Sequence, residues 1–151
     1  MINWQWQAFA QLDGAALYQA LELRQQVFIL EQRCLYADID GYDIEAWHLL
    51  GWRSTNGRRE LAAYLRCLAP GAKFPEMSLG RVLTAPGARG LGFGKLLLAE
   101  AIARATRQYP GHAIRIGAQH HLERFYQGFG FRTISAPYDD EGIPHVDMLR
   151  P

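Results

Sequence analysis

Trp4-Gln5-Trp6-Gln7-Ala8-Phe9 alternates large and polar residues, the period of a strand with one buried face. Asp13 stands where a helix cap is expected, and Leu17, Ala20, Leu21, Arg24, Val27 and Phe28 then recur at helical spacing. A polar, irregular stretch from Tyr36 to Asp43 follows. Ala46–Arg53 reads as a strand and Leu61–Leu68 as its return, with Asn56-Gly57 between them tolerating the positive φ of a tight turn. Pro70-Gly71 and Pro75 break the pattern before a third apolar run, Met77–Leu83. Lys95–Gln108 is rich in Leu and Ala and predicts a long helix, ended by Pro110-Gly111. Ala113–Ala118 predicts a short strand, Leu122–Phe129 a short helix stopped at Gly130, and Phe131–Ser135 and Val146–Leu149 the last strands. Hairpin strands first and strand–helix alternation later imply an α/β chain with a mixed sheet.

Length and composition narrow the class. The 151 residues suit one domain spanning 1–151; nearly half are hydrophobic, enough for a core that buries about two-thirds of the unfolded surface. A net charge of +1 gives no reason to expect nucleic acid or membrane partners. The first residues lack a basic region followed by an apolar run, and no stretch nears the roughly 20 apolar residues of a membrane span. Cys34 and Cys67 are too few for a disulfide scaffold, so a cytoplasmic chain with reduced thiols is expected.

The distinctive segment is Arg89-Gly90-Leu91-Gly92-Phe93-Gly94-Lys95, a glycine-rich turn leading into the long helix. Helix-initial N–H groups lack intrahelical partners and point outward, which with the helix dipole makes an anion site. Glycines let a pyrophosphate approach without a Cβ in the way. The mononucleotide phosphate loop fails, because Arg89 stands at its first glycine and Leu96 follows Lys95. The dinucleotide fingerprint fails, because counting from Gly90 and Gly92 puts Lys95 at the third glycine. Arg-x-x-Gly-x-Gly, met by Arg89, Gly92 and Gly94, remains.

In context this pattern resembles the GNAT superfamily of N-acetyltransferases. The strand Leu79–Leu83 precedes it, and the long helix, a strand and Phe125-Tyr126-Gln127-Gly128-Phe129-Gly130-Phe131 follow. The similarity is closer to the ElaA-like branch, through Leu23–Phe28, Glu31-Gln32 with Cys34, Asp38-x-Asp40-Gly41-x-Asp43, His48–Gly51, Ala118–Leu122 and Asp140–His145. The resemblance implies a mostly antiparallel sheet splayed between its fourth and fifth strands, flanked by helices, with the cofactor's pantetheine arm in the gap. It implies acetyl-coenzyme A as co-substrate, with Val82 and Thr84 supplying backbone contacts to the arm. Arg89, Gly90, Gly92, Gly94 and Lys95 would cradle the pyrophosphate. The implied activity is acetyl transfer to a small-molecule or peptide primary amine by direct attack in a ternary complex. The alternative is a sensor that binds acetyl-coenzyme A without transfer. An exposed sheet edge in such a fold is open to a partner strand, which allows a homodimer.

Transfer needs a donor to the developing oxyanion, expected at the backbone N–H near Val82, and a proton for the departing sulfur. The resemblance implies Tyr126 as the acid, since many members of the superfamily place a tyrosine there beside the cofactor sulfur; it lies about 100° of helix rotation off the face shared by Phe125 and Phe129. The base is not legible: Glu76 stands near the start of the strand, and His48, His120, His121 and His145 are alternatives, since histidine as a residue type changes charge near neutral pH. The resemblance favours His121 and His145 over His120, because the branch motifs carry those two, and His121, near the start of Tyr126's helix, is the first expectation. No Cys-x-x-Cys or His-x-x-x-His spacing is present, and Gly41 falls at the wrong place for a calcium loop, so no metal site is expected. Asp38, Asp40, Asp43 and Glu45, and Asp139, Asp140 and Glu141, form two acidic groups expected either as solvated loops or as attractors of a cationic acceptor. Cys34 or Cys67 offers a rival covalent route.

Overall fold

The computed structural model describes all 151 residues. In chain order the strands are β1 Asn3–Ala8, β2 Trp47–Thr55, β3 Arg58–Leu68, β4 Met77–Thr84, β5 Ile114–Gln119, β6 Arg132–Thr133, β7 Tyr138–Asp140 and β8 Ile143–Arg150. The α-helices are α1 Gly14–Arg24, α2 Phe93–Gln108 and α3 Glu123–Gln127, and α1 runs on into a π-helical segment, Gln25–Glu31. The strands join one sheet in the order β1-β2-β3-β4-β5-β8-β6, with β7 also on β8. All pairings are antiparallel except β4 with β5.

Strand alternation sorts the core onto the two faces of the sheet. Leu49, Ala63, Leu65 and Cys67 pack on one side against Leu97, Leu98, Ala101 and Ala105 of α2. Leu50, Trp52 and Tyr64 pack on the other against Ala16, Ala20, Val27 and Phe28. Each fully buried leucine contributes about 1.5–3 kcal/mol. Asp13 caps α1 as expected, its carboxylate accepting from the Ala16 N–H at 2.7 Å.

β4 carries the irregularity that makes the site. Arg66 pairs with Gly80 and Tyr64 with Leu83, so β4 spends one residue more than β3 across that interval. The bulge falls at Arg81–Val82, and Arg81 sits at φ +53. Bulged strands bend and twist locally. β4 and β5 are in parallel register only at Met77–Ile114 and Ser78–Arg115, and beyond those pairs they part. The expected splay is therefore present.

The polar stretch before β2 is no solvated loop. Three arginines of the apolar runs neutralise three of its aspartates. Arg24 binds Asp43 at 2.7 Å and Asp38 at 2.9 Å. Arg66 binds Asp40 at 2.6 Å and Asp43 at 3.0 Å. Arg81 reaches Asp38 at 2.8 Å and Asp40 at 3.1 Å. The side chains of Arg24, Asp43 and Arg66 are buried, and Arg81 takes its left-handed backbone at this junction.

Candidate active site

The gap between β4 and β5 opens into a cleft of about 660 Å³. Gly80, Arg81 and Val82 form one wall, and Ile116, Gly117 and Gln119 the other. Leu122 and Tyr126 also line it, and Tyr138, His145 and Asp147 of the neighbouring strands continue the second wall. Gln119 donates from its side-chain amide to the Gln32 side-chain oxygen at 3.2 Å, tying β5 to the end of the π-helical segment.

Beyond the end of β4 lies the glycine-rich turn. Gly92 caps α2 in left-handed geometry at φ +80, and Gly90 has φ +81. The first N–H of the helix to find a backbone acceptor is that of Leu96, which donates to Gly92 at 3.4 Å. The N–H groups of Gly90 through Lys95 have no acceptor within the protein. A Cβ built at Gly90, Gly92 or Gly94 meets nothing within 4 Å, so the space before these amides is open. Unpartnered amides, the helix dipole and open space together suit a pyrophosphate. Arg89 pairs with Glu31 at 2.7 Å on the surface, a contact worth about 0–1 kcal/mol and easily exchanged for a phosphate. Thr84 lies at the end of β4 opposite Ala63, outside the cleft lining.

Tyr126 and His121 part company. Leu122 and Tyr126, four residues apart, share the face that looks into the cleft. His121 is rotated off that face and is exposed on the turn His120–Leu122, so the expected active-site histidine stands outside the cleft. Tyr126 is the most buried aromatic of its helix turn, at 6% exposure, whereas Phe125 and Phe129 are only half-buried, the reverse of what their shared face suggests. Its ring makes edge contacts with Phe125 and Phe131, and burial pushes its hydroxyl up to about 12.

The histidine in the cleft is His145. It stands in register between Gln119 of β5 and Tyr138 of β7. This follows from a hairpin not expected from the sequence: Glu141 at φ +50 and Gly142 at φ +81 form its two-residue turn. Glu-Gly between Asp140 and Ile143 was the available signal. Tyr138 donates to Asp147 at 2.6 Å, and Arg115 holds the other Asp147 oxygen at 2.7 Å. Burial opposes ionisation of Asp147, but the Tyr138 hydrogen bond and the Arg115 charge prevail and lower its pKa.

His48 is buried away from the cleft, its ring bridging the Asp43 carbonyl and the Tyr64 hydroxyl. Glu76 stands 3.8 Å from Arg115, also outside the cleft lining. Cys34 lines the cleft, but burial and then the charges of Glu141 and Asp140 raise its pKa. Cys67 lies in the core, where burial pushes its thiol up to about 12. Neither is a ready thiolate. Of the two acidic groups, Asp38, Asp40 and Asp43 are matched by arginines, whereas Asp140 and Glu141 reach the cleft without an ion-pair partner.

A family model for the acetyltransferase (GNAT) domain matches residues 61–150. The chain belongs to the GNAT acetyltransferase family. Within it, a UPF0039 protein of Synechocystis sp. is 47% identical over 98% of this chain and 94% of its own length. ElaA of Escherichia coli is 38% identical over 99% and 97%. The crystal structure of that ElaA superposes with a TM-score of 0.91 over the whole of both chains. An acyl-CoA N-acyltransferase from Pseudomonas aeruginosa superposes at 0.93 with 35% identity, again over all of both. This GNAT protein is thus an acyltransferase of the ElaA-like branch, and its fold is the one that moves acyl groups from coenzyme A. No helix in it is long and apolar enough to cross a membrane.

Proposed function

We propose that the chain transfers an acetyl group from acetyl-coenzyme A to a primary amine by direct attack within a ternary complex. The observation that carries this reading is the run of unpartnered amides at Gly90–Lys95, which follows in the chain directly after β4, one wall of the splayed cleft. Acetyl-coenzyme A, as co-substrate, supplies the thioester that the amine attacks. Gly90, Gly92, Gly94, Lys95 and a released Arg89 would hold its pyrophosphate, and β4 near Val82 and Thr84 its pantetheine arm.

The residues of the cleft divide the work. The Val82 N–H, at the bulge, would donate to the carbonyl oxygen as charge develops there. Tyr126 holds its proton at Oη throughout the working pH range, because its hydroxyl sits at about 12. A thiol ionises near 8.5, so full proton transfer from Tyr126 to sulfur runs uphill. Tyr126 therefore acts by hydrogen-bonding the departing sulfur, and its buried edge excludes water from the thioester. The raised pKa values of Cys34 and Cys67 favour direct attack over a covalent acetyl-cysteine. A sensor would need the amide cradle but not a phenol in the cleft, and Tyr126 therefore favours the enzyme.

The test is calorimetric titration with acetyl-coenzyme A of the wild type and Gly94→Glu. Position 94 has open space around it and an ordinary helical backbone, unlike Gly92, where a side chain is strained. The introduced carboxylate stabilises the helix start by about 0.3–1 kcal/mol yet repels a pyrophosphate. Saturable binding by the wild type, weakened at least about tenfold in a variant of unchanged melting temperature, is expected. No binding by folded wild type, or equal binding by the variant, overturns the cradle.

A further inference from the structure

We infer that His145 is the general base that deprotonates the acceptor ammonium, held for that task in the tautomer that leaves Nε2 bare. The inference rests on the acetyl-transfer reading above. His145 is the one histidine that lines the cleft. Its Nδ1 lies 2.7 Å from the Ile143 carbonyl oxygen. A carbonyl only accepts, so Nδ1 carries the proton and the neutral ring keeps its lone pair on Nε2. No protein group bonds Nε2.

The ring is also fixed in orientation. It stacks on Tyr138 with centroids 6.0 Å apart and planes 26° apart. Tyr138 is anchored through Asp147 to Arg115, and the Asp147 N–H is itself bound to Ser135 at 2.8 Å. The backbone of His145 is locked between β5 and β7. A ring so braced has little entropy left to lose when an acceptor arrives. The other ionisable side chains lining the cleft are Cys34, Tyr36, Asp40, Arg66, Lys73, Arg81, Tyr126, Tyr138, Asp140, Glu141 and Asp147. Asp140 and Glu141 have no ion-pair partner and would draw in an ammonium.

The step balances simply. Nε2 takes one proton from R–NH3⁺. The free amine forms the C–N bond as the C–S bond breaks. The amine's second proton leaves with the thiol, and the imidazolium gives its proton to water.

The tautomer is tested without any acceptor, by two-bond ¹H–¹⁵N correlation spectra of histidine-labelled protein, with His145→Gln to assign the signal. A neutral ring protonated at Nδ1 is expected; one protonated at Nε2 overturns the inference. Catalysis is tested with spermidine, tyramine and a lysine-containing peptide, following thiol release. His145→Ala should lower kcat/KM by about a hundredfold or more, lose the acid limb of the pH profile, and regain rate with added imidazole. Acetyl-coenzyme A affinity should be unchanged. Transfer by His145→Ala at the wild-type rate and pH profile overturns the role. Failure of the wild type to bind acetyl-coenzyme A fails the cradle instead and leaves the tautomer measurement standing.

Discussion

Arg24 donates from both terminal nitrogens to the two oxygens of Asp43, at 2.7 and 3.1 Å, in the interior of the protein. Asp43 also accepts from Arg66, and its main-chain carbonyl accepts from His48. One aspartate thus joins α1, β2 and β3 beneath the wall of the cleft. Burial alone would raise its pKa, but the hydrogen bonds and charges of Arg24 and then Arg66 lower it.

Removing that partner leaves buried guanidinium charge uncompensated. Asp43→Ala should cost about 3–5 kcal/mol, read as a lower urea midpoint. The acid profile follows in sign. The folded pKa values of Asp43 and Asp40 are depressed, so their contribution is complete above the unfolded value of about 3.9. It is lost as pH falls below that value towards the folded ones. A wild-type midpoint that stays flat below pH 4 would contradict the network.

His48 titrates in the same sense from a different cause. Its Nε2–H donates to the Asp43 carbonyl at 2.9 Å, and its bare Nδ1 accepts from Tyr64 at 2.7 Å. Burial lowers its pKa. The unfolded chain takes up a proton near pH 6.5 while the folded one does not, so stability should fall below that pH by up to about 1.4 kcal/mol per unit. Comparison with His48→Gln, which keeps a donor and an acceptor but no titration, should show that part of the slope removed.

Tyr126→Phe preserves the ring contacts with Phe125 and Phe131 and loses only the hydroxyl. The expected result is a kcat lower by about tenfold to a hundredfold, with acetyl-coenzyme A affinity unchanged. With its hydroxyl at about 12, Tyr126 should give no alkaline limb to the wild-type profile below about pH 11. An unchanged kcat removes Tyr126 from the chemistry.

The cysteines should be dispensable. Cys34→Ser and Cys67→Ala should each transfer acetyl within a few-fold of wild type, and mass spectrometry after incubation with acetyl-coenzyme A should find neither residue acetylated. Abolished turnover in a folded Cys34→Ser protein would revive the covalent route.

Local pattern determined much of this protein. The glycine turn and the helix behind it are contiguous, so Arg89 to Lys95 display their chemistry within seven positions. β3, β4 and β5 could be read from their runs of apolar residues to within a few positions, and the Asn56-Gly57 turn tied β2 to β3. Tertiary structure alone decided the rest. Nothing near Asp38, Asp40 and Asp43 in the chain says that they are neutralised, because Arg24, Arg66 and Arg81 reach them from a helix and two strands. His121, not His145, lies beside Tyr126 in sequence, yet helix rotation turns His121 outward while strand pairing brings His145 to the cleft wall. Periodicity reports which face of an element is buried; which distant side chains meet across the site depends on how the elements pack, and that is a property of the whole fold.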